Sequence, residues 1–239
     1  MKIKMTKIVK LHYVKFVFRA LLFLLAVISY IYNRIYNTGE TFGGFENNNV
    51  LLGFIWAVFF AEMVLRFFPS QFESMGCQKQ FSKNYMPTGE IKKPDSKKTT
   101  FVVLVSWISL NLIFGVLYLT DVFDRGIMLL ISLAYSVCDI ICILFFCPFQ
   151  TWIMKNKCCG TCRIYNWDYA MMFTPLVFVK NIYSWTLLGA ALLLLLRWEV
   201  SFYKYPERFT EESNESLSCR MCKEKLCHHK KQLQKFLKK

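Results

Sequence analysis

Two short cysteine pairs are the residues of this chain best suited to chemistry. Cys159 and Cys162 form one Cys-x-x-Cys pair, and Cys219 and Cys222 form the other. Two pairs of this spacing suit one tetrahedral thiolate site, because a tight loop can aim both of its sulfurs at a single ion. We therefore predict a cytoplasmic four-cysteine metal site that joins loop 148–168 to the C-terminal tail, with a structural or sensory role.

The metal predicted at this site is Zn²⁺. Cys158, Cys227 and His228 are additional candidate ligands, and the lysines and arginines around them would offset the negative charge of four thiolates. An iron–sulfur cluster also accepts four thiolates, but its common signatures have spacings that this chain lacks. A membrane redox protein that uses the thiols, or such a cluster, to pass electrons toward quinone is therefore an alternative.

A second group of candidate residues lies inside predicted membrane spans. Cys138 and Cys142 are four residues apart and share a helix face, Asp139 adjoins them, and Cys147 closes the span. Glu62 lies in a different span. Because an acid inside a bilayer is costly and marks a functional site by default, these residues suggest, as a further alternative, a small transporter or membrane assembly factor.

Each of these intramembrane groups also has a structural explanation. Membrane cysteines can act as small hydrophobes, and Asp139 can hydrogen-bond to a neighbouring helix. Glu62 and Arg66 are spaced i, i+4 and can pair on one face, with Arg66 extending toward the cytoplasm. The functional hypothesis instead places Glu62 opposite Asp139 across the bundle, as part of a proton or cation relay.

Composition predicts that a helical membrane bundle holds these residues. Hydrophobic residues make up 55% of the 239 residues and aromatic residues 17%, with a mean hydropathy of +0.32, in runs too long for a soluble core. We predict an all-α, multi-pass bundle over 1–200, followed by a basic tail over 201–239. The predicted spans are 16–32, 50–68, 101–119, 127–147, 169–179 and 183–198.

The last two spans are predicted to form a hairpin. Segment 169–179 has about half of the ~20 residues that a crossing helix needs, and it contains Pro175. It could cross as a short, distorted helix, or it could form a re-entrant hairpin with 183–198 if neighbouring helices cover its backbone. The main rival is a single crossing by 183–198, which would place the tail outside.

Charge patterning favours a cytoplasmic tail. The net charge of +14 is concentrated between the apolar runs and in both terminal segments. The positive-inside rule then places both termini in the cytoplasm of a cell membrane, beside anionic lipid head groups. Nucleic-acid binding explains the charge less well, because no recognised binding motif accompanies it. The chain also lacks common catalytic motifs, so we do not expect an enzyme.

Overall fold

The fold consists of helices throughout the described part of the chain. The computed structural model describes residues 5–36, 49–69, 77–90, 94, 97–156 and 158–237. Parts of the predicted loops 33–50 and 69–100 lie outside these residues. The α-helices are α1 (Lys7–Tyr36), α2 (Asn49–Phe67), α3 (Cys77–Gln80), α4 (Lys97–Leu119), α5 (Arg125–Leu144), α6 (Asp168–Phe173), α7 (Ile182–Lys204) and α8 (Leu226–Leu237). No β-strand is present within the described ranges.

Four of the described helices are long and apolar enough to cross a membrane, namely α1, α4, α5 and α7. Helix α2 occupies the predicted span 50–68 and has 19 residues. The all-α class predicted from the sequence is confirmed, and the four helices are consistent with a multi-pass membrane protein. Their outer faces are apolar, as lipid contact requires, with exposed side chains that include Leu25, Ile28, Leu112, Ile113 and Leu193.

Two helix pairs and a buried segment form the core of the bundle. Helix α1 packs most extensively on α5, and α2 packs on α7. Between them lie buried side chains of segment 169–179, including Tyr169, Met172, Phe173, Leu176 and Val179. Burying these apolar side chains fixes the place of this short segment among the longer helices.

The predicted span 169–179 consists of α6 followed by a 3₁₀ turn, Thr174–Phe178. The change of helix type falls beside Pro175, because proline has no N–H to donate to the carbonyl of the residue four positions earlier. Asp168 pairs with Arg66 near the end of α2, whereas Phe178 lies against Tyr118 near the end of α4. The hairpin arrangement and the cytoplasmic placement of the tail stay predictions.

Gly115 on α4 provides a test of this packing. A Cβ atom there would collide with the ring of Phe178, whereas a Cβ atom at Gly189 on α7 would meet no atom within 4 Å. We expect Gly115→Ala to lower the free energy of unfolding by about 1 kcal/mol or more, because overpacking outweighs the gain in helix propensity. Thermal unfolding in one detergent measures this effect, with Gly189→Ala as the matched control. A Gly115→Ala protein as stable as the control would contradict the packing.

Candidate functional site

The loop after α5 folds into short turns that present its cysteines. A π turn covers Phe149–Ile153, and the backbone N–H of Gln150 donates to Cys147 Sγ at 3.4 Å. A 3₁₀ turn begins at Cys159, and Cys158 Sγ accepts a hydrogen bond from the N–H of Gly160 at 3.4 Å. These contacts satisfy amide groups that have no partner within a turn this short.

The C-terminal tail lies against this loop and the start of α1. Glu224 accepts a hydrogen bond from Thr6 through its backbone carbonyl at 3.0 Å, and its carboxylate pairs with Lys79 at 2.9 Å. Helix α8 follows, where His229 shares a hydrogen bond of 3.0 Å with the Tyr13 hydroxyl. Lys230 donates to the Cys142 carbonyl oxygen at the end of α5 at 2.7 Å and to the Cys159 sulfur in the loop at 3.3 Å. The tail and loop 148–168 are therefore neighbours.

This docking brings cysteine side chains together in two pairs. Cys158 in the loop and Cys227 in α8 line the same small cavity, of about 20 Å³. Cys142 in α5 and Cys147 just beyond it line a second, larger cavity. The nine described cysteines in this structure are free thiols. The fold thus places these thiols in two neighbouring pairs, and the members of the first pair come from distant parts of the sequence.

Cys159 lies between the two pairs. Its Sγ donates to Gln150 Oε1 at 3.0 Å, and Lys230 Nζ donates to the same sulfur at 3.3 Å. Burial nevertheless raises the pKa of the Cys159 thiol. We call Cys142, Cys147, Cys158, Cys159 and Cys227 the thiol cluster.

The predicted metal ligands differ in burial and in hydrogen-bond partners. Cys159 and Cys162 are buried, at 7% and 4% exposed. Cys219 is exposed, and the thiol of Cys222 donates to Glu224 at 3.2 Å. The extra candidate ligand His228 is exposed and shares a hydrogen bond with Gln232.

Metal coordination needs several of these ligands at one point. Among the described residues, no group of three or more His, Cys, Asp or Glu side chains is arranged to hold a metal ion. Glu224 and Lys79, which pair with each other, stand beside Cys222 in a small cavity of about 20 Å³ that Cys159 also lines. The geometry therefore does not favour the predicted Zn²⁺ site or an iron–sulfur cluster, and both stay predictions.

A larger cavity, of about 130 Å³, lies on the other side of Cys159. Cys138, Asp139 and Cys142 contribute its α5 wall, and the loop contributes Cys147 and Cys162. Trp107 from α4 and other aromatic side chains complete the lining. Cys159 lines both cavities, so it adjoins the space on each side of the loop.

The predicted intramembrane acids meet at one arginine that the sequence analysis did not identify as a site residue. Arg19 is 3% exposed. Its guanidinium lies 2.7 Å from Glu62 and 3.1 Å from Asp139, and it also donates to the backbone carbonyl of Ser136 at 3.0 Å. The hydroxyl of Tyr169 donates to Glu62 at 3.0 Å. Arg19 therefore joins α1, α2, α5 and α6 at one buried point.

Lys15 and Arg66 extend the charged network. Lys15 lies 3.3 Å from Glu62, and Arg66 pairs with Asp168 over the ring of Tyr169. Arg66 is 5% exposed and its guanidinium lies at Asp168, the residue that ends loop 148–168, and its extension toward the cytoplasm stays a prediction. A cation between Glu62 and Asp139 offsets their charge, so the geometry favours a structural role over a cation relay. A charged residue within a predicted span was the signal that could have identified Arg19.

The fold and this site together define a helical class of protein, consistent with a multi-pass membrane protein through four helices long and apolar enough to cross, with a cluster of thiols beside the end of α5. Comparison with known proteins adds no narrower assignment: the chain matches no protein-family model, no curated protein and no solved structure.

Replacing Arg19 should expose how much the bundle depends on it. We expect Arg19→Met to lower the free energy of unfolding by about 3–5 kcal/mol, because it leaves buried carboxylates without their cation. The triple variant Arg19→Met, Glu62→Gln, Asp139→Asn should recover much of that loss. Arg34→Met is the matched control, since that side chain is 68% exposed. Denaturant titration in detergent measures all three, and a stable Arg19→Met protein would contradict the account.

Cys227 should become reactive at a lower pH than Cys222. The neighbouring Cys158 thiol lowers the pKa of Cys227 below its ordinary value, whereas burial raises the pKa of Cys222. Because the thiolate forms as pH rises through the pKa and is the reactive species, alkylation of Cys227 should begin first. Iodoacetamide labelling across pH, read by peptide mass spectrometry, measures the order. Cys158→Ala should move the onset for Cys227 upward, and the reverse order in the parent protein would contradict the geometry.

Proposed function

We propose that this chain is a membrane redox protein that exchanges thiols and disulfides through its thiol cluster. The observation that carries the proposal is that Cys158 from the loop and Cys227 from α8 line one small cavity, of about 20 Å³. The pair depends on the docking of α8 beside the loop, so the fold itself brings the two sulfurs together.

The pair has the division of roles that disulfide exchange requires. The Cys158 thiol lowers the pKa of Cys227, and the Cys227 thiol raises that of Cys158. Lys230, three residues further along α8, also lowers the pKa of Cys227. A thiolate attacks a disulfide, and its reactivity depends on the fraction that is deprotonated. We assign Cys227, which has this lysine on its own helix, as the attacking group and Cys158 as the neighbour that resolves the mixed disulfide.

The reaction balances with a disulfide of a second molecule as the oxidant. Cys227 thiolate attacks one sulfur of that disulfide and releases the other sulfur as a thiolate. Cys158 then attacks the mixed disulfide, loses its proton and releases the second partner thiol. The products are a Cys158–Cys227 disulfide and a dithiol or two thiols of the partner, so two electrons pass to the partner.

Two features support thiol chemistry over a resident metal. Cys158, Cys159, Cys222 and Cys227 line one small cavity, but Cys222 donates to Glu224 there and Lys79 pairs with the same carboxylate. No three His, Cys, Asp or Glu side chains of the described residues are arranged to hold a metal ion. Both Cys158 and Cys227 are partly exposed, which gives a partner access. The second pair, Cys142 and Cys147, lies across Cys159 from the first and provides another two-electron store.

A glutathione redox titration tests the proposal. The purified protein, in lipid nanodiscs, is equilibrated with mixtures of reduced and oxidised glutathione, quenched with acid and alkylated. We expect a Cys158–Cys227 disulfide that forms as the ratio of oxidised to reduced glutathione rises and disappears as that ratio falls. Peptide mass spectrometry identifies the linked residues.

Matched variants separate the pair from the remaining cysteines. Cys158→Ser should stop the reaction at a mixed disulfide between glutathione and Cys227, whereas Cys219→Ser, at an exposed cysteine, should leave the titration unchanged. If Cys158 and Cys227 stay reduced at every ratio, the proposal is wrong. Bound zinc that disappears when Cys159, Cys162, Cys219 and Cys222 are replaced would favour the metal site instead.

A further inference from the structure

We infer that the 130 Å³ cavity binds the ring of a lipid-soluble quinone, which accepts electrons from Cys142 and Cys147. This inference rests on the proposed thiol chemistry and names the acceptor for the second cysteine pair. Its basis is the size of the cavity, its aromatic walls, its position in the bundle and the dithiol that lines it.

The cavity has the size and lining of a site for one six-membered ring. An apolar cavity of about 150 Å³ is known to hold benzene, which is close to the volume here. Trp107, Tyr135, Phe149 and Tyr165 lie along the walls, and aromatic side chains favour offset or edge contacts with another flat ring. The small cavity beside Cys222, of about 20 Å³, has no room for such a ligand.

The position of the cavity selects a ligand that dissolves in lipid. Part of its wall comes from α4 and α5, two of the helices that suit a membrane span, and the remainder comes from loop residues 147–165 and from α6. Cys138 lines the cavity and is also exposed on the outer surface of α5. A ligand that passes Cys138 would therefore arrive from the lipid side of the bundle, which a quinone can do and a soluble disulfide cannot.

Tyr135 provides a hydrogen-bond donor at the wall. Its hydroxyl lies beside Asn111, but neither the Tyr135 oxygen nor Asn111 Oδ1 completes a hydrogen bond of normal geometry among the described residues. A buried phenol O–H without a partner is costly. A quinone carbonyl oxygen in the cavity would accept that hydrogen bond, and the ring would lie beside the dithiol.

The redox step is balanced between the dithiol and the quinone. Cys142 and Cys147 lose two protons and two electrons as the sulfur–sulfur bond forms. The two carbonyl oxygens of the quinone gain those two protons and the ring gains the two electrons, which gives the quinol. No metal or further oxidant is required.

The test uses a ubiquinone with a short tail, whose ring is fully substituted so that thiols cannot add to it. The pre-reduced protein in nanodiscs is mixed with this quinone, and quinol formation is followed by absorbance while disulfides are mapped by mass spectrometry. We expect about one quinol per Cys142–Cys147 disulfide formed. Cys142→Ser and Cys147→Ser should each abolish the reaction.

Two further variants address the cavity without removing the dithiol. Cys138→Trp should block entry, whereas Cys138→Ser, at the same position, should react like the parent protein. Tyr135→Phe should raise the half-saturating quinone concentration about fivefold, as expected for one lost hydrogen bond. If the Cys142→Ser and Cys147→Ser variants fail to fold, the comparison of Cys138→Trp with Cys138→Ser still tests the inference.

The possible failures are distinguishable. If no quinol forms while Cys158 and Cys227 still titrate with glutathione, the quinone site is wrong and the proposed function stands. Equal rates for Cys138→Trp and Cys138→Ser would also overturn the cavity as the site. If neither pair forms a disulfide under any condition, the quinone inference and the proposed function both fail.

Discussion

The buried Arg19 guanidinium is the interaction on which the arrangement of the bundle depends. A charge in an apolar interior must be compensated, because its desolvation costs several kcal/mol. Arg19 on α1 is held by Glu62 on α2 and Asp139 on α5, and Tyr169 adds a hydrogen bond from α6. This requirement fixes four elements relative to one another. It also sets the position of α5, which carries the cysteines of the larger cavity.

The thiol cluster depends on that position and on the docking of the tail. Helix α5 presents Cys142 at the end nearest the loop, and Lys230 of α8 reaches the Cys142 carbonyl oxygen and the Cys159 sulfur. The same helix carries Cys227 to Cys158. Contacts within the bundle therefore determine the positions of Cys142 and Cys147, and contacts of the tail determine those of Cys158 and Cys227.

The helices were predictable from the sequence because long apolar runs carry that information locally. Helix α5 spans Arg125–Leu144, close to the predicted span 127–147. It ends before Pro148, because proline disfavours α conformation in the residue that precedes it.

Which side chains pair across helices was not predictable. Arg66 lies four residues after Glu62 in the sequence, yet in the bundle Glu62 forms an ion pair with Arg19 and Arg66 forms one with Asp168. Spacing likewise shows that two sulfurs of one Cys-x-x-Cys can converge, but not that two such pairs meet. Cys227, named only as a spare ligand, instead lies beside Cys158 because α8 folds back on the loop.

The most direct test of this account is the redox state of Cys158 and Cys227 in the membranes of cells that make the protein. Acid quenching before alkylation preserves that state, and mass spectrometry of the peptides reads it. The account predicts a Cys158–Cys227 disulfide in part of the protein, a larger part after brief exposure of the cells to a thiol oxidant, and recovery once the oxidant is removed. Two thiols that stay reduced throughout, in a protein that purifies with zinc on its Cys-x-x-Cys pairs, would contradict it.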